Sequence, residues 1–151
     1  MSNPFSDLLV VSLEQALAAP LCTSRLVDMG ARVIKIERAE GDFARGYDSA
    51  ANGDSSYFLW TNHGKESIVL DLKSEKDLQI LHHLIGCADV VVENFRTGTL
   101  EKLGIHSDAF EGKILCRITG YGQTGPRASD PGYDIALQAM TGIMSVTGTA
   151  D

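Results

Sequence analysis

The sequence is short of several things, and each shortage removes a class of function. It has no long apolar run: nothing uncharged approaches the ~18 residues that a membrane-crossing helix needs. It is short of positive charge. Thirteen Lys and Arg stand against 20 Asp and Glu, a net charge of −7, whereas a general nucleic-acid binder needs a basic surface. A few local Arg or Lys side chains still suffice to hold a small anion. Cysteine is scarce: Cys22, Cys87 and Cys116 are odd in number and form no C-x-x-C pair. With no signal-peptide pattern at the start, a reducing, cytoplasmic setting is expected. The three thiols are expected to serve as small buried hydrophobes. There is no internal repeat and no low-complexity tract. No G-x-G-x-x-G follows the first strand, and no G-x-x-x-x-G-K-[ST] occurs anywhere. Standard dinucleotide and P-loop sites are thereby disfavoured.

What is present is ordinary in amount and regular in order. The chain has 151 residues, 44% apolar and 22% charged, enough for one globular domain with a real core. Short apolar runs alternate with helical patterns. Asp7 to Leu13 reads as a buried strand. Ala19 to Met29 reads as a helix, with Pro20 in its first turn, Cys22, Leu26 and Met29 on one face, and Gly30 as the stop. Arg32 to Glu37 is the second strand, followed by a polar, Gly-bearing loop and a helical turn from Ser56 to Asn62. Glu66 to Leu72 is the third strand. Ser74 then caps a helix, with Asp77 in capping-box position, Leu78, Leu81 and Ile85 inward, and Gly86 at the end. Asp89 to Glu93 is the fourth strand. A short helix near Gly98 to Leu103 precedes the fifth strand, Lys113 to Thr119. A Gly/Pro loop from Gly120 to Gly132 leads into a last helix, Tyr133 to Val146. Continuous apolar strands joined by crossovers indicate a parallel sheet with helices on both faces.

Such sheets bind ligands at the carboxyl ends of their strands. After the first strand come Gln15, Ala16 and the small pair Ala18 and Ala19. That pair serves equally well for an anion at a helix N-terminus or for tight strand–helix packing. After the second strand come Arg38, Glu40, Asp42 and Arg45, and after the third comes Lys73. Taken singly, each of these cations reads best as a solvated surface charge. After the fourth come Asn94, Phe95 and Arg96, where an adenine could stack on the ring or the guanidinium, or where Phe95 could anchor the core. After the fifth come three glycines in six residues, Gly120 to Gly125, which indicate close backbone approach or left-handed turns. Basic or polar groups thus follow four strands on the ligand side, as a ligand with several phosphates would require.

The same residues resemble a known family. E-Q-A-L-A-A-P (14–20), V-I-K-I-E-R (33–38), G-D-F-A-R-G (41–46), L-D-L-K (70–73), D-V-V-V-E-N-F-R-T-G (89–98) and G-Y-G-Q-T-G-P with G-Y-D-I-A-L-Q-A-M-T-G (120–142) occur in order. Together they are similar to the N-terminal domain of class III coenzyme A transferases, the CaiB/BaiF family that includes formyl-CoA transferase, from about Leu8 to Gly148. The resemblance implies an α/β fold: a Rossmann-like parallel sheet, the N-terminal part of the large domain. It implies that residues 1–151 form one truncated CoA-binding domain, with the small domain and a returning C-terminal segment absent, and that the whole protein is an interlocked homodimer. It implies CoA transfer from an acyl-CoA to a carboxylic acid, through an aspartyl anhydride and an enzyme thioester, with no permanently bound cofactor, no metal, no nucleic acid and no membrane.

Carried over by position, Gln15 falls near the reacting carbonyl and Tyr133 at an active-site aromatic position. Ala16, Arg38, Leu72, Lys73, Asn94 and Phe95 line the CoA site. Lys102 falls where some members use an arginine for the nucleotide phosphates, with a point charge in place of a fork. The nucleophilic aspartate is expected beyond Asp151. Asp134 and Asp151 themselves are not assigned that role, and the 151-residue chain alone is expected to be inactive. Two other readings are kept. One is an α-methylacyl-CoA racemase of the same superfamily, whose His/Asp pair the resemblance would place with a histidine where this chain has Tyr133. A tyrosine, with an ordinary pKa of ~10, is a poor base at neutral pH. The other is a non-catalytic CoA-binding or assembly domain. The acyl donor and acceptor acid are not legible.

Overall fold

In a computed structural model that describes residues 3–148, the chain folds around a five-stranded sheet: β1 (Leu9–Leu13), β2 (Arg32–Glu37), β3 (Glu66–Val69), β4 (Val90–Glu93) and β5 (Ile114–Arg117). The strand order is β3-β2-β1-β4-β5 and every pair is parallel. The chain winds outward from β1 to β3, then returns to the other edge of β1 for β4 and β5. The switch point therefore lies between β1 and β4, where open α/β sheets bind ligands.

Both faces are covered because side chains alternate along each strand. Val11 and Leu13 point to one face and pack with Ile36, Val91, and Leu81 and Ile85 of α3 (Glu75–Cys87). Leu100 of α4 (Thr99–Lys102) and Phe110 complete that layer. Val10 points to the other face and packs with Val33, Val90, Val92 and Ala19 of α1 (Ala18–Asp28). The short helix α2 (Ser56–Asn62) packs against α1. Its N-terminus is capped by Ser55, which accepts from the Phe58 amide at 3.2 Å. Among the described residues no helix is long and apolar enough to cross a membrane.

The predicted elements are all present, with corrections at their edges. On α1 the buried residues are Ala19, Pro20, Thr23 and Ser24, while Met29 is 46% exposed. The inner face is made of small residues because the helix lies close to the sheet and Thr23 turns its hydroxyl inward to Glu14 (2.6 Å). The third strand ends at Val69, before the predicted Leu72. The Leu70 amide still reaches the Glu37 carbonyl (2.9 Å), but Asp71 then turns the chain, its carboxylate accepting from the Lys73 amide (3.0 Å). The capping box is half formed: Ser74 accepts from the Asp77 amide (3.5 Å), while Asp77 itself accepts from Asp71. That helix runs to Cys87, one residue past Gly86. The fifth strand is shorter than Lys113 to Thr119. The predicted last helix is two, α5 (Asp134–Met140) and α6 (Ile143–Thr147), broken where Gly142 takes φ +79°. The cysteines are not buried as expected. Cys87 is exposed at the end of α3, and Cys22 and Cys116 are half-buried. Asp151 lies outside the described residues.

Candidate functional site

The carboxyl ends of β1 and β4 are stitched together across the switch point. The Gln15 amide donates to Asn94 Oδ1 (3.0 Å), and Asn94 Nδ2 donates back to the Gln15 carbonyl (2.8 Å). Both backbone groups of Gln15 are thus taken, and its side-chain amide has no hydrogen bond among the described residues. Ala16 follows at φ +65°, a left-handed conformation that costs a non-glycine residue about 1–2 kcal/mol. Its amide donates to Asp42 Oδ1 at 3.1 Å.

Beneath this turn lies a buried group of charges that sequence reasoning did not assemble. Lys35 Nζ donates to Asp42 Oδ2 (2.7 Å) and Asn62 Oδ1 (2.7 Å), and the Lys35 and Asp42 side chains are each 1% exposed. Lys65 Nζ donates to Glu14 Oε1 (2.7 Å) and the Pro20 carbonyl (2.8 Å). Burial pushes the Lys65 ammonium down, and the Glu14 carboxylate opposes that. Beside this group, Glu37 accepts both Nε and Nη2 of Arg45 (3.0 and 2.8 Å), the Ser67 hydroxyl (2.7 Å) and the Asp42 amide (3.0 Å). Burial alone would raise Glu37, but these donors hold it down at about 2. The signal in the sequence was a lysine inside an apolar strand, but its partners stand 7 and 27 residues away.

Two hollows adjoin at this edge of the sheet. The first, about 760 Å³, lies over the ends of β1, β4 and β5 and includes Gln15, Ala16, Ala18, Asn94, Phe95 and Tyr133 in its lining. Phe43, Tyr47 and Tyr57 form an aromatic wall on one side. The second, about 690 Å³, lies over the ends of β2 and β3 and includes Arg38, Leu72 and Lys73. Gln15 and Phe95 line both.

The structure therefore brings eight of the nine candidate residues to the two hollows. Lys102 lines neither; it is exposed on α4, whose neighbours Thr99 and Leu103 line the second. Tyr133 is 64% exposed at the rim of the first. Arg38 uses Nε on the Gly41 carbonyl (3.0 Å), leaving its two terminal nitrogens without a hydrogen bond among the described residues. The two roles weighed for the alanine pair are divided: Ala19 is buried against the sheet and Ala18 faces the hollow. Phe95 likewise both packs on the core and lines the hollows. No histidine lines either hollow; His82, His83 and His106 are exposed, and His63 bonds Asp28 at 2.8 Å.

The glycine loop after β5 has a geometric purpose. Gly120 and Gly132 pinch its two ends together, so closely that a Cβ on Gly120 would stand 2.6 Å from the Gly132 Cα. Gly120→Ala is expected to cost about 1–3 kcal/mol by overpacking, seen as a lower urea midpoint with an unchanged slope.

Comparison with known proteins decides the family. The profile described as CoA-transferase family III matches residues 5–151. The chain belongs to CoA-transferase family III. It is 46% identical over 155 aligned residues to an acetyl-CoA:oxalate CoA-transferase of Acetobacter aceti, covering 99% of this chain and 40% of that protein. It is 41% identical to a succinate–glutarate CoA-transferase of Agrobacterium fabrum, covering 98% of this chain and 40% of that protein. Among solved structures it is similar to a CaiB/BaiF family protein from Brucella suis, with a TM-score of 0.89, 38% identity, and coverage of 100% of this chain and 42% of that one. The hypothetical protein Rv3272 from Mycobacterium tuberculosis aligns with a TM-score of 0.87 and 39% identity, over 98% of this chain and 42% of that one. This family III chain thus spans about two fifths of the length of the relatives it matches, and its parallel α/β fold is theirs.

Proposed function

We propose that residues 1–151 form the CoA-binding part of an enzyme that moves CoA from an acyl-CoA to a carboxylic acid. The observation that carries this reading is the pair of adjoining hollows sharing Gln15 and Phe95. A CoA thioester is long, polyanionic at one end and reactive at the other. The second hollow is assigned to the nucleotide end, with Arg38 and Lys73 as the cations for its phosphates among a lining that also carries carboxylates such as Glu40 and Asp71. The first suits the thioester and acyl group, with the free carboxamide of Gln15 at the junction.

In this reading the Gln15 carboxamide donates to the thioester carbonyl as negative charge develops on its oxygen. An aspartate attacks that carbonyl, forming an anhydride and releasing CoA thiolate. The thiolate then attacks the aspartyl carbonyl of the anhydride, expelling the donor acid as its carboxylate and leaving an enzyme thioester for the acceptor acid. The carboxylates that line the first hollow, Asp130 and Asp134, are exposed. Asp134 stands in the first turn of α5 and accepts from Gln138. Neither is held against the junction, so the nucleophile is assigned to a residue outside this chain. Tyr133 at the rim of the first hollow, where the resemblance would place a racemase's histidine, favours transfer over racemisation, because a tyrosine is a poor base at neutral pH.

Isothermal titration of the chain with CoA tests the reading. Binding is expected, and Arg38→Ala is expected to weaken it about tenfold, as the loss of one charge-assisted phosphate contact would. A folded chain that binds CoA equally well with and without Arg38 would remove the second hollow as the nucleotide site.

A further inference from the structure

The proposed transfer makes no direct use of the buried charges beneath the Gln15–Ala16 turn, yet their geometry ends on that turn. Glu14, the residue before it, is fixed by Lys65 (2.7 Å) and Thr23 (2.6 Å). Ala16, the residue at its far end, is fixed by Asp42 (3.1 Å). Gln15 between them is clamped to Asn94 through both of its backbone groups. Ala16 sits at φ +65°, a conformation a non-glycine residue keeps only when its surroundings hold it. The hydrogen bond to Asp42 is the one its amide makes to a side chain among the described residues.

The carboxylate of Asp42 is fully engaged. Oδ1 accepts from the Ala16 and Ala44 amides (3.1 and 2.9 Å), and Oδ2 accepts from Lys35 (2.7 Å). Lys35 is in turn tied to Asn62 of α2 (2.7 Å), which also takes Lys65 (3.3 Å). The two carboxylates Glu14 and Asp42 and the two ammoniums Lys35 and Lys65 balance in charge, as burial demands. Such a chain holds the turn from below while leaving the Gln15 carboxamide free above.

We propose that Asp42, held in place by Lys35, is a positioning residue for the reaction: it fixes the Gln15–Ala16 turn so that the Gln15 carboxamide meets the thioester in register. This inference rests on the transfer reading above. A misplacement of about 1 Å in a catalytic group costs on the order of 10²-fold in rate, so the effect falls chiefly on turnover, with a smaller one on CoA affinity because Ala16 and Asp42 also line the hollows.

Two charge-matched pairs of substitutions isolate the Asp42 oxygen that holds the Ala16 and Ala44 amides. Lys35→Met with Asp42→Asn removes both charges but keeps a carbonyl oxygen for the Ala16 amide. Lys35→Met with Asp42→Ala removes both charges and the oxygen. In a CoA-transfer assay on the whole protein, the Asn pair is expected to turn over about tenfold or more faster than the Ala pair, with KM for the acyl-CoA changed less than kcat. Equal kcat in the two pairs, or a difference confined to KM, would overturn the proposal. Amide hydrogen exchange of the unsubstituted chain supplies a measurement that does not depend on how the variants fold. The Ala16 amide should be protected to a degree comparable with Val11 of the core, and rapid exchange at Ala16 would also overturn the proposal. A whole protein that transfers no CoA, with Ala16 protected, would sink the transfer reading while leaving the tether intact.

Discussion

A chain carrying Lys35→Met alone is expected to lose about 3–5 kcal/mol of stability, the usual result of removing one member of a buried ion pair. Methionine keeps the lysine side chain up to the position of Cε and its fit in β2, where position 35 pairs with Ser12, so the loss comes mainly from charge and little from the space of one terminal atom. What remains is the Asp42 carboxylate, 1% exposed, with amide donors but no cation, and an Asn62 oxygen that has lost its shorter donor. Adding Asp42→Asn to Lys35→Met should recover most of the loss, because replacing both partners leaves no uncompensated charge. Urea unfolding of the single and double variants measures the difference. A single variant within about 1 kcal/mol of the parent, the range of surface pairs, would mean that water reaches these groups in solution.

Acid should loosen the same corner of the fold through Glu37. Its carboxyl is held at about 2, well under its ordinary value of 4.5, because Arg45, Ser67 and the Asp42 amide outweigh the opposing effect of burial. A carboxylate depressed in the folded state contributes stability that is complete above its unfolded pKa. That contribution disappears as pH falls from about 4.5 towards about 2. Arg45 is half exposed, so solvent screening reduces the effect to on the order of 2–3 kcal/mol. Glu37→Gln should lower stability near neutral pH and flatten its dependence on pH across that acid range. A Gln variant whose stability falls with acid as steeply as the parent's would place the acid sensitivity in another carboxylate.

The fold was largely legible because a parallel sheet writes itself plainly. Val10, Val11 and Leu13, and Val90 to Val92, are apolar and point to both sides, as in strands covered on two faces. Boundaries failed where a side chain competed for backbone groups: the Asp71 carboxylate ended β3 early. A single glycine in the left-handed region divided the last helix at Gly142. The rim of the two hollows was legible for the same topological reason, since residues after parallel strands share one edge; Gln15, Arg38, Lys73 and Asn94 follow strands and line these hollows. The tether beneath was not. Asp42 read as one polar residue in a polar loop, and Lys35 as a charge in a strand. Only the winding order, which puts β2 beside β1 and α2 against α1, brings Asn62 and Lys65 to them.

The buried charges also bear on how the chain reaches its fold. Glu14, Thr23, Lys35, Asp42, Asn62 and Lys65 all precede β4 and come from six successive pieces of chain. Their charges cancel only when those pieces have come together, and any partial collapse that sequesters one lysine without its acid is penalised. The β1–β2–β3 half is therefore expected to assemble as one cooperative unit, with mispaired strands penalised by unpaired buried charge. β4 and β5 contribute nothing to that cancellation: β4 adds to β1 through the backbone ladder, apolar packing and the Asn94 and Asp89 hydrogen bonds, and β5 adds to β4.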